Sequence, residues 1–147
     1  MPGPPRTTPI GLKLASTAKA VSRAFDDGLA AAGGSRSSWL ILIALVSGRV
    51  ANQRELARAV GVQGATLTHH LNALEADGLL TRRRDPDNRR VHLVELTARG
   101  RAAFDRMRGA AHDFDRRLRA GLSERDLGRL ADLLDRLRVN AAGSPET

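Results

Sequence analysis

Residues 52–78, NQRELARAVGVQGATLTHHLNALEADG, constrain the fold more than any other part of the chain. Asn52 stands three residues before Glu55, close to a capping box, and opens a short helix, QRELARAV, that Gly61 terminates. A second helix follows within a few residues. It covers Gln63 to Asp77 and places Leu67, Leu71 and Leu74 at the i, i+4, i+7 spacing of one buried face, with Gly78 as its left-handed stop. A connection this short makes two helices cross steeply. Beyond Gly78 the period changes: in LLTRRRDPDNRRVHLVELT, Val91, Leu93 and Leu96 are interleaved with His92 and Glu95 as in a strand, next to the turn chemistry of Asp85-Pro86-Asp87-Asn88. Two short helices and an arginine-studded hairpin predict a winged helix-turn-helix. Ala57 is small enough for the helix crossing, Gly61 supplies the turn and Leu67 the apolar anchor.

The flanking segments read as helices. MPGPPRTTP is too rich in proline and glycine to pack and predicts a flexible arm over residues 1–8, after which Pro9 opens a helix to about Ala31. Its apolar positions Ile10, Leu14, Val21, Phe25 and Leu29 keep to one stripe, and AAGGS breaks it. SSWLILIALVSG is apolar on all sides. Its helix formers, with Ser37 or Ser38 as cap, favour a central helix over a buried strand. From Ala98 onward Phe104, Met107, Ala111, Phe114 and Leu118 step 3, 4, 3, 4; after Gly121 a capped helix carries Leu127, Leu130, Leu134 and Leu137. Narrow stripes at both ends of a chain are satisfied by a second copy, so Ile10, Leu14, Phe114, Leu118, Leu127, Leu130, Leu134 and Leu137 are the expected dimer interface. The predicted class is mainly α, or α+β by strict count. A winged helix-turn-helix DNA-binding domain over 35–97 lies between dimerisation helices at 9–34 and 98–142, with a flexible tail at 143–147.

At 147 residues the chain is about one domain, and 24 Lys plus Arg against 16 Asp plus Glu give it a formal charge of +8, which favours a polyanionic partner such as nucleic acid. The absence of cysteine excludes disulfides, thiolate metal sites and cysteine-based oxidant sensing. The apolar run from Trp39 to Val46 is far too short to span a bilayer, and the N-terminus lacks the apolar core of a signal peptide, so a soluble cytoplasmic protein without membrane contact is expected. No nucleophile–base–orienter set, metal-ligand spacing or phosphate-cradling glycine motif stands out; an enzyme, a cofactor and a metal are not expected.

Advancing 100° per residue from Leu67 puts Ala65, Thr68, His69, Asn72 and Ala76 on the outer face of the second helix, with Thr66 and Ala73 at its edge. A small, polar face of this kind fits a major groove, where threonine methyls meet thymine methyls and amide, hydroxyl and imidazole groups meet base edges or phosphates. His69 belongs to that face, an ordinary solvated histidine being the plain alternative; His70 lies about 100° away at the core boundary, where a packed ring donating one hydrogen bond is expected. The two rings diverge and do not jointly grip a metal ion. His92 and His112 are isolated and receive no role. TRRRDPDNRR carries five arginines against two aspartates, a charge run that beside a groove-sized helix reads as a phosphate or minor-groove clamp rather than a merely solvated face. A non-sequence-specific architectural DNA-binding protein and a protein-docking winged helix remain open on these residues alone.

LARAVGVQGATLTHHLNALEADGLLTRRRDPDNRRVHLVELTARG resembles the MarR family of bacterial transcriptional regulators, with its helix-turn-helix, LE..GL..R, basic wing and closing LT..G, and the likeness runs from the first helix to the last. The resemblance implies a homodimer built from the terminal helices, acting as a repressor on pseudo-palindromic double-stranded DNA. The DNA contacts then fall at Asn52 and Gln53; at Gln63, Gly64, Ala65, Thr66, Thr68, His69 and Asn72 of the second helix; and at Arg82, Arg84, Asn88, Arg89 and Arg90 of the wing. It also implies a small aromatic or phenolic effector between the dimer helices and the reading head, where Trp39, Ile43 and His70 are candidate lining residues. Two positions depart from the family pattern. Asn88-Arg89-Arg90 stands where Asp-x-Arg is usual, so the wing-tip arginine is either less rigidly held or anchored by Asp87 instead. Gln63 stands where a serine-like cap is common.

Overall fold

A computed structural model describes residues 7–143, so the arm expected over 1–8 and the tail expected over 143–147 lie outside the described residues except for Thr7, Thr8 and Gly143. The elements run α1 (Ile10–Ala31), α2 (Arg36–Val46), α3 (Gln53–Val60), α4 (Gly64–Ala76), β1 (Leu80–Arg84), β2 (His92–Leu96), α5 (Ala98–Leu118) and α6 (Glu124–Ala142). By its contacts the chain divides after Ala111, within α5, into two compact units. Among the described residues no single helix is long and apolar enough to cross a membrane.

In the first unit, α2 is a helix, as its composition implied. Its cap, however, is Ser35 rather than Ser37 or Ser38. Ser35 is the extended residue (φ −144°, ψ 168°), and its Oγ accepts the Ser38 N–H while the Ser38 hydroxyl oxygen accepts the Ser35 N–H. At the head of α3, the Asn52 side chain accepts the Glu55 N–H at 2.9 Å. The Glu55 carboxylate accepts instead from Ala51 N–H, one residue before the cap, which is why the pair only approximates a capping box. Gly61 ends α3 at φ 74°, ψ 29°, and its N–H reaches the Ala57 carbonyl at 2.9 Å.

Two apolar clusters hold this unit together. One gathers Ile41, Leu56, Leu67, Leu71, Leu74, Leu80 and Val94, which fixes α2, α3, α4 and the hairpin as one block. Each fully buried leucine there contributes about 1.5–3 kcal/mol relative to an exposed one. The other joins Leu29, Leu42, Ala103 and Met107, with Trp39 stacked on Phe104 (centroids 5.4 Å, planes 12° apart). This second cluster is the reason the end of α1 and the first part of α5 pack with the helix-turn-helix.

β1 and β2 pair antiparallel with Leu80 opposite Leu96, Arg82 opposite Val94 and Arg84 opposite His92. That register corrects the expected alternation: Val94 is the buried residue of β2, whereas Leu93 turns to the other face. The parity of a strand is set by its partner, and Leu80 fixes it here. Between hairpin and α5, the Thr97 hydroxyl donates to the Gly78 carbonyl at 2.6 Å and accepts the Gly100 N–H at 3.0 Å. Thr97 N–H also donates to the Leu79 carbonyl at 3.1 Å. A Cβ at Gly100 would lie 1.9 Å from that Leu79 oxygen, so α5 starts in direct backbone contact with the turn that ends α4.

In the second unit, Ser123 caps α6 in a reciprocal box with Asp126, whose carboxyl is held below its ordinary range by the Ser123 N–H and hydroxyl. No residue of α6 is buried. Leu130, Leu133 and Leu134 remain 45%, 48% and 40% exposed.

Candidate nucleic-acid interface

The buried leucines of α4 leave Ala65, Thr66, His69 and Asn72 on its exposed side, and Thr68 half-buried at the margin. No side chain caps α4: Gln63 is the N-cap residue but accepts nothing, so the N–H donors of the first turn remain available to an acceptor such as a phosphate oxygen. Thr68 is held from two sides. Its hydroxyl donates to the Gly64 carbonyl and accepts from Gln53 Nε2, both at 2.9 Å, so its methyl group is what it has left to offer.

At the wing tip, Asp85 N–H donates to the Val91 carbonyl and Asp87 N–H to the Asp85 carboxylate, both at 2.9 Å. The Asn88 side chain accepts the Arg90 backbone N–H at 3.2 Å rather than a guanidinium, and Asp87 does not take over that role. The Asn88 side chain thus shapes the turn and leaves the Arg90 head group unheld. Among the described residues the guanidinium groups of Arg89 and Arg90 have no hydrogen-bond or ion-pair partner, whereas Arg84 Nη1 donates to the Arg89 carbonyl at 3.0 Å.

A groove of about 880 Å³ joins these parts, with Asn52, Gln53 and Gly64 on the helical side and Asn88 and Arg90 on the wing side. Three cationic or titratable residues absent from the expected set also line it: Arg54 and Arg58 of α3, and His92 of β2. The signal for the arginines was their i, i+4 spacing, which puts both on one face of α3. For His92 it was its place two residues after Arg90, on the strand that closes the wing.

Arg82 departs from the expectation of a free contact. Its side chain is only 17% exposed, its Nη2 donates to Asn72 Oδ1 and to Glu75 Oε1 (3.2 Å), and its backbone N–H donates to Glu75 Oε2 at 2.9 Å. The acid and base of the LE..GL..R motif therefore meet, tying the base of the wing to α4. The Arg82 side chain, foremost through its hydrogen bond, holds the Glu75 carboxyl below its ordinary value of 4.5. A depressed acid stabilises the fold above its ordinary value and loses that effect as pH falls through the lowered one. Melting curves between pH 5 and 2 should therefore show a loss in the wild type that Glu75→Gln, already lacking the ion pair, does not add to; equal acid sensitivity in both would remove Glu75 from this role.

His70, of the three candidate effector residues, lines a cleft that takes in neither Trp39 nor Ile43. The cleft, of about 190 Å³, sets half-buried His70 beside Ser38, Ala73, Asp77, Leu79 and Met107, while Trp39 is stacked on Phe104, and Ile43, one turn further along the same face of α2, is 39% exposed. His70 makes no hydrogen bond among the described residues, contrary to the bonded state expected of it. The His69 and His70 rings lie 5.9 Å apart at 59°.

Comparison with known proteins places this geometry. Residues 35–92 match the profile of the MarR family. The HTH-type transcriptional regulator YdgJ of Bacillus subtilis (strain 168) is 32% identical over 111 residues, covering 76% of this chain and 68% of that protein. CouR of Rhodococcus jostii RHA1, a transcriptional repressor solved on a 23-mer DNA duplex, superposes with a TM-score of 0.77 at 27% identity over 88% of this chain and 92% of that one. PcaV of Streptomyces coelicolor, at 23% identity, shares the fold with a TM-score of 0.82 over 93% of this chain and 100% of that one. With a helix-turn-helix and wing that match the family profile and a relative of 32% identity covered over two thirds of its length, the chain belongs to the MarR family of helix-turn-helix transcriptional regulators.

Proposed function

We propose that the protein is a sequence-specific repressor that binds a pseudo-palindromic operator as a homodimer. The observation that carries this reading is the groove that the uncapped start of α4, at Gly64, and the free arginine of the wing tip line together. A helix with small polar side chains enters a major groove, and a hairpin ending in unpaired guanidinium groups reaches the neighbouring phosphates or minor groove. The repressor named CouR, seen on duplex DNA, supports the same assignment. In a two-fold dimer the half-sites lie about 10 bp apart, so that both α4 helices meet one face of the duplex.

The dimer is supported by the apolar residues that α1 and α6 leave exposed: Ile10 is 64% exposed and Leu14 38%, and no residue of α6 is buried. A helix with an apolar stripe and no buried residue is completed by a partner. In this reading a small aromatic effector enters at the cleft beside His70. At about 190 Å³ that cleft is smaller than a drug-sized pocket and takes a single ring.

Selection of duplexes from a randomised pool by the purified protein tests the reading, with an inverted repeat as the expected product. Replacing Arg90 with Ala should weaken the selected operator and lower the slope of log affinity against log salt by about 1, the value for one lost phosphate contact. Unchanged affinity at every ionic strength would remove the wing from the interface.

A further inference from the structure

We infer that Arg82 fixes the orientation of the Asn72 amide, so that its amine leads toward the bases and favours guanine, with Arg82 acting as a positioning residue rather than a DNA contact. This rests on the reading of α4 as the DNA-reading helix. A guanidinium only donates, so its contact with Asn72 identifies the atom facing it as the carbonyl oxygen Oδ1. The amine Nδ2 keeps its two hydrogens and has no partner among the described residues.

Arg82 is not free to let go. The same Nη2 bonds Glu75 one turn along α4, the Arg82 main chain bonds the other Glu75 oxygen, and the side chain is mostly enclosed. Its Nε is buried, with no hydrogen-bond partner among the described residues. Releasing Asn72 would mean uncoupling the first strand of the wing from α4.

An asparagine that reads adenine uses both ends of its amide, accepting from N6 and donating to N7. With its oxygen drawn to the wing root and one of its two lone pairs taken by Arg82, Asn72 presents its donating end first and is the poorer acceptor for adenine N6. Of the base edges in the major groove, guanine alone offers two adjacent acceptors, O6 and N7, to a group that carries two hydrogens. Arg82 thereby sets base choice without touching a base.

Operator selection with the wild-type protein, Asn72→Asp and Arg82→Gln tests this. The wild type should enrich guanine at one symmetric pair of positions, and 7-deazaguanine there should weaken binding. In Asn72→Asp both oxygens accept and Arg82 still holds one of them, so preference should move to cytosine, whose N4 donates. Arg82→Gln should release the amide, admit adenine beside guanine and reduce discrimination at that position about tenfold. Should that variant not fold by its melting curve, Asn72→Asp, which keeps the Arg82 contact, decides alone. An unchanged guanine in Asn72→Asp, or a uniform loss of affinity with the same motif, overturns the inference while leaving specific DNA binding intact. If the wild-type protein enriches no sequence at all, the DNA-reading assignment falls and this inference falls with it.

Discussion

Gly100→Ala should cost about 3 kcal/mol, lowering the melting temperature by about 6–12 °C. The reason is contact rather than flexibility. The added Cβ would sit 1.9 Å from the Leu79 carbonyl oxygen and 3.0 Å from the Leu79 carbonyl carbon, which are main-chain atoms and cannot rotate aside. Relief requires the start of α5 to move off the turn, pulling against the Thr97 hydroxyl that bridges Gly78 and Gly100. Gly109→Ala on the same helix is the control: nothing lies within 4 Å of its Cβ position, so removing a mid-helix glycine there should gain about 0.5–1 kcal/mol. Similar melting temperatures for the two variants would mean that the close approach at Gly100 is not maintained in solution.

The second large effect concerns assembly. Leu134→Asp, alone or with Leu130→Asp, should convert the dimer to a monomer and reduce operator affinity at least about 100-fold. Two linked half-site contacts gain about 10² to 10⁴ over one through effective concentration. Both leucines are exposed and no residue of α6 is buried, so a charge there removes no core packing within one chain. Sedimentation equilibrium gives the mass and titration with operator gives the affinity. A Leu134→Asp protein that remains a dimer with full affinity would place the self-association surface somewhere other than α6.

Much of the reading head was legible in the sequence because its signals are local. Leu67, Leu71 and Leu74 recur at helical spacing, Asn52 and Gly61 mark the two ends of α3, and each sits in the structure where periodicity and capping rules put it. What was not legible depends on a second segment. Val94 rather than Leu93 is buried because Leu80, on the other strand, decides which parity faces inward. Arg82 looks like any other arginine in a basic run until the hairpin brings it against Asn72 and Glu75 of α4. Arg54, Arg58 and His92 join the groove only once the wing folds back beside α3 and α4. Trp39 was a candidate effector contact by family resemblance, and its stacking partner Phe104 comes from a helix distant in sequence.

The uncapped start of α4 has a further consequence. A first helical turn that begins Gly64-Ala65 with no side chain on its amides is the part of the reading helix most prone to fray. In the proposed function, a phosphate held there would supply the missing acceptors, so that tight docking and completion of the helix would become one event. A duplex that lets the protein slide keeps those amides exchanging with solvent, while one that holds the protein in register protects them. Under that proposal, part of the choice between targets would be made by the free energy of ordering a single turn of backbone.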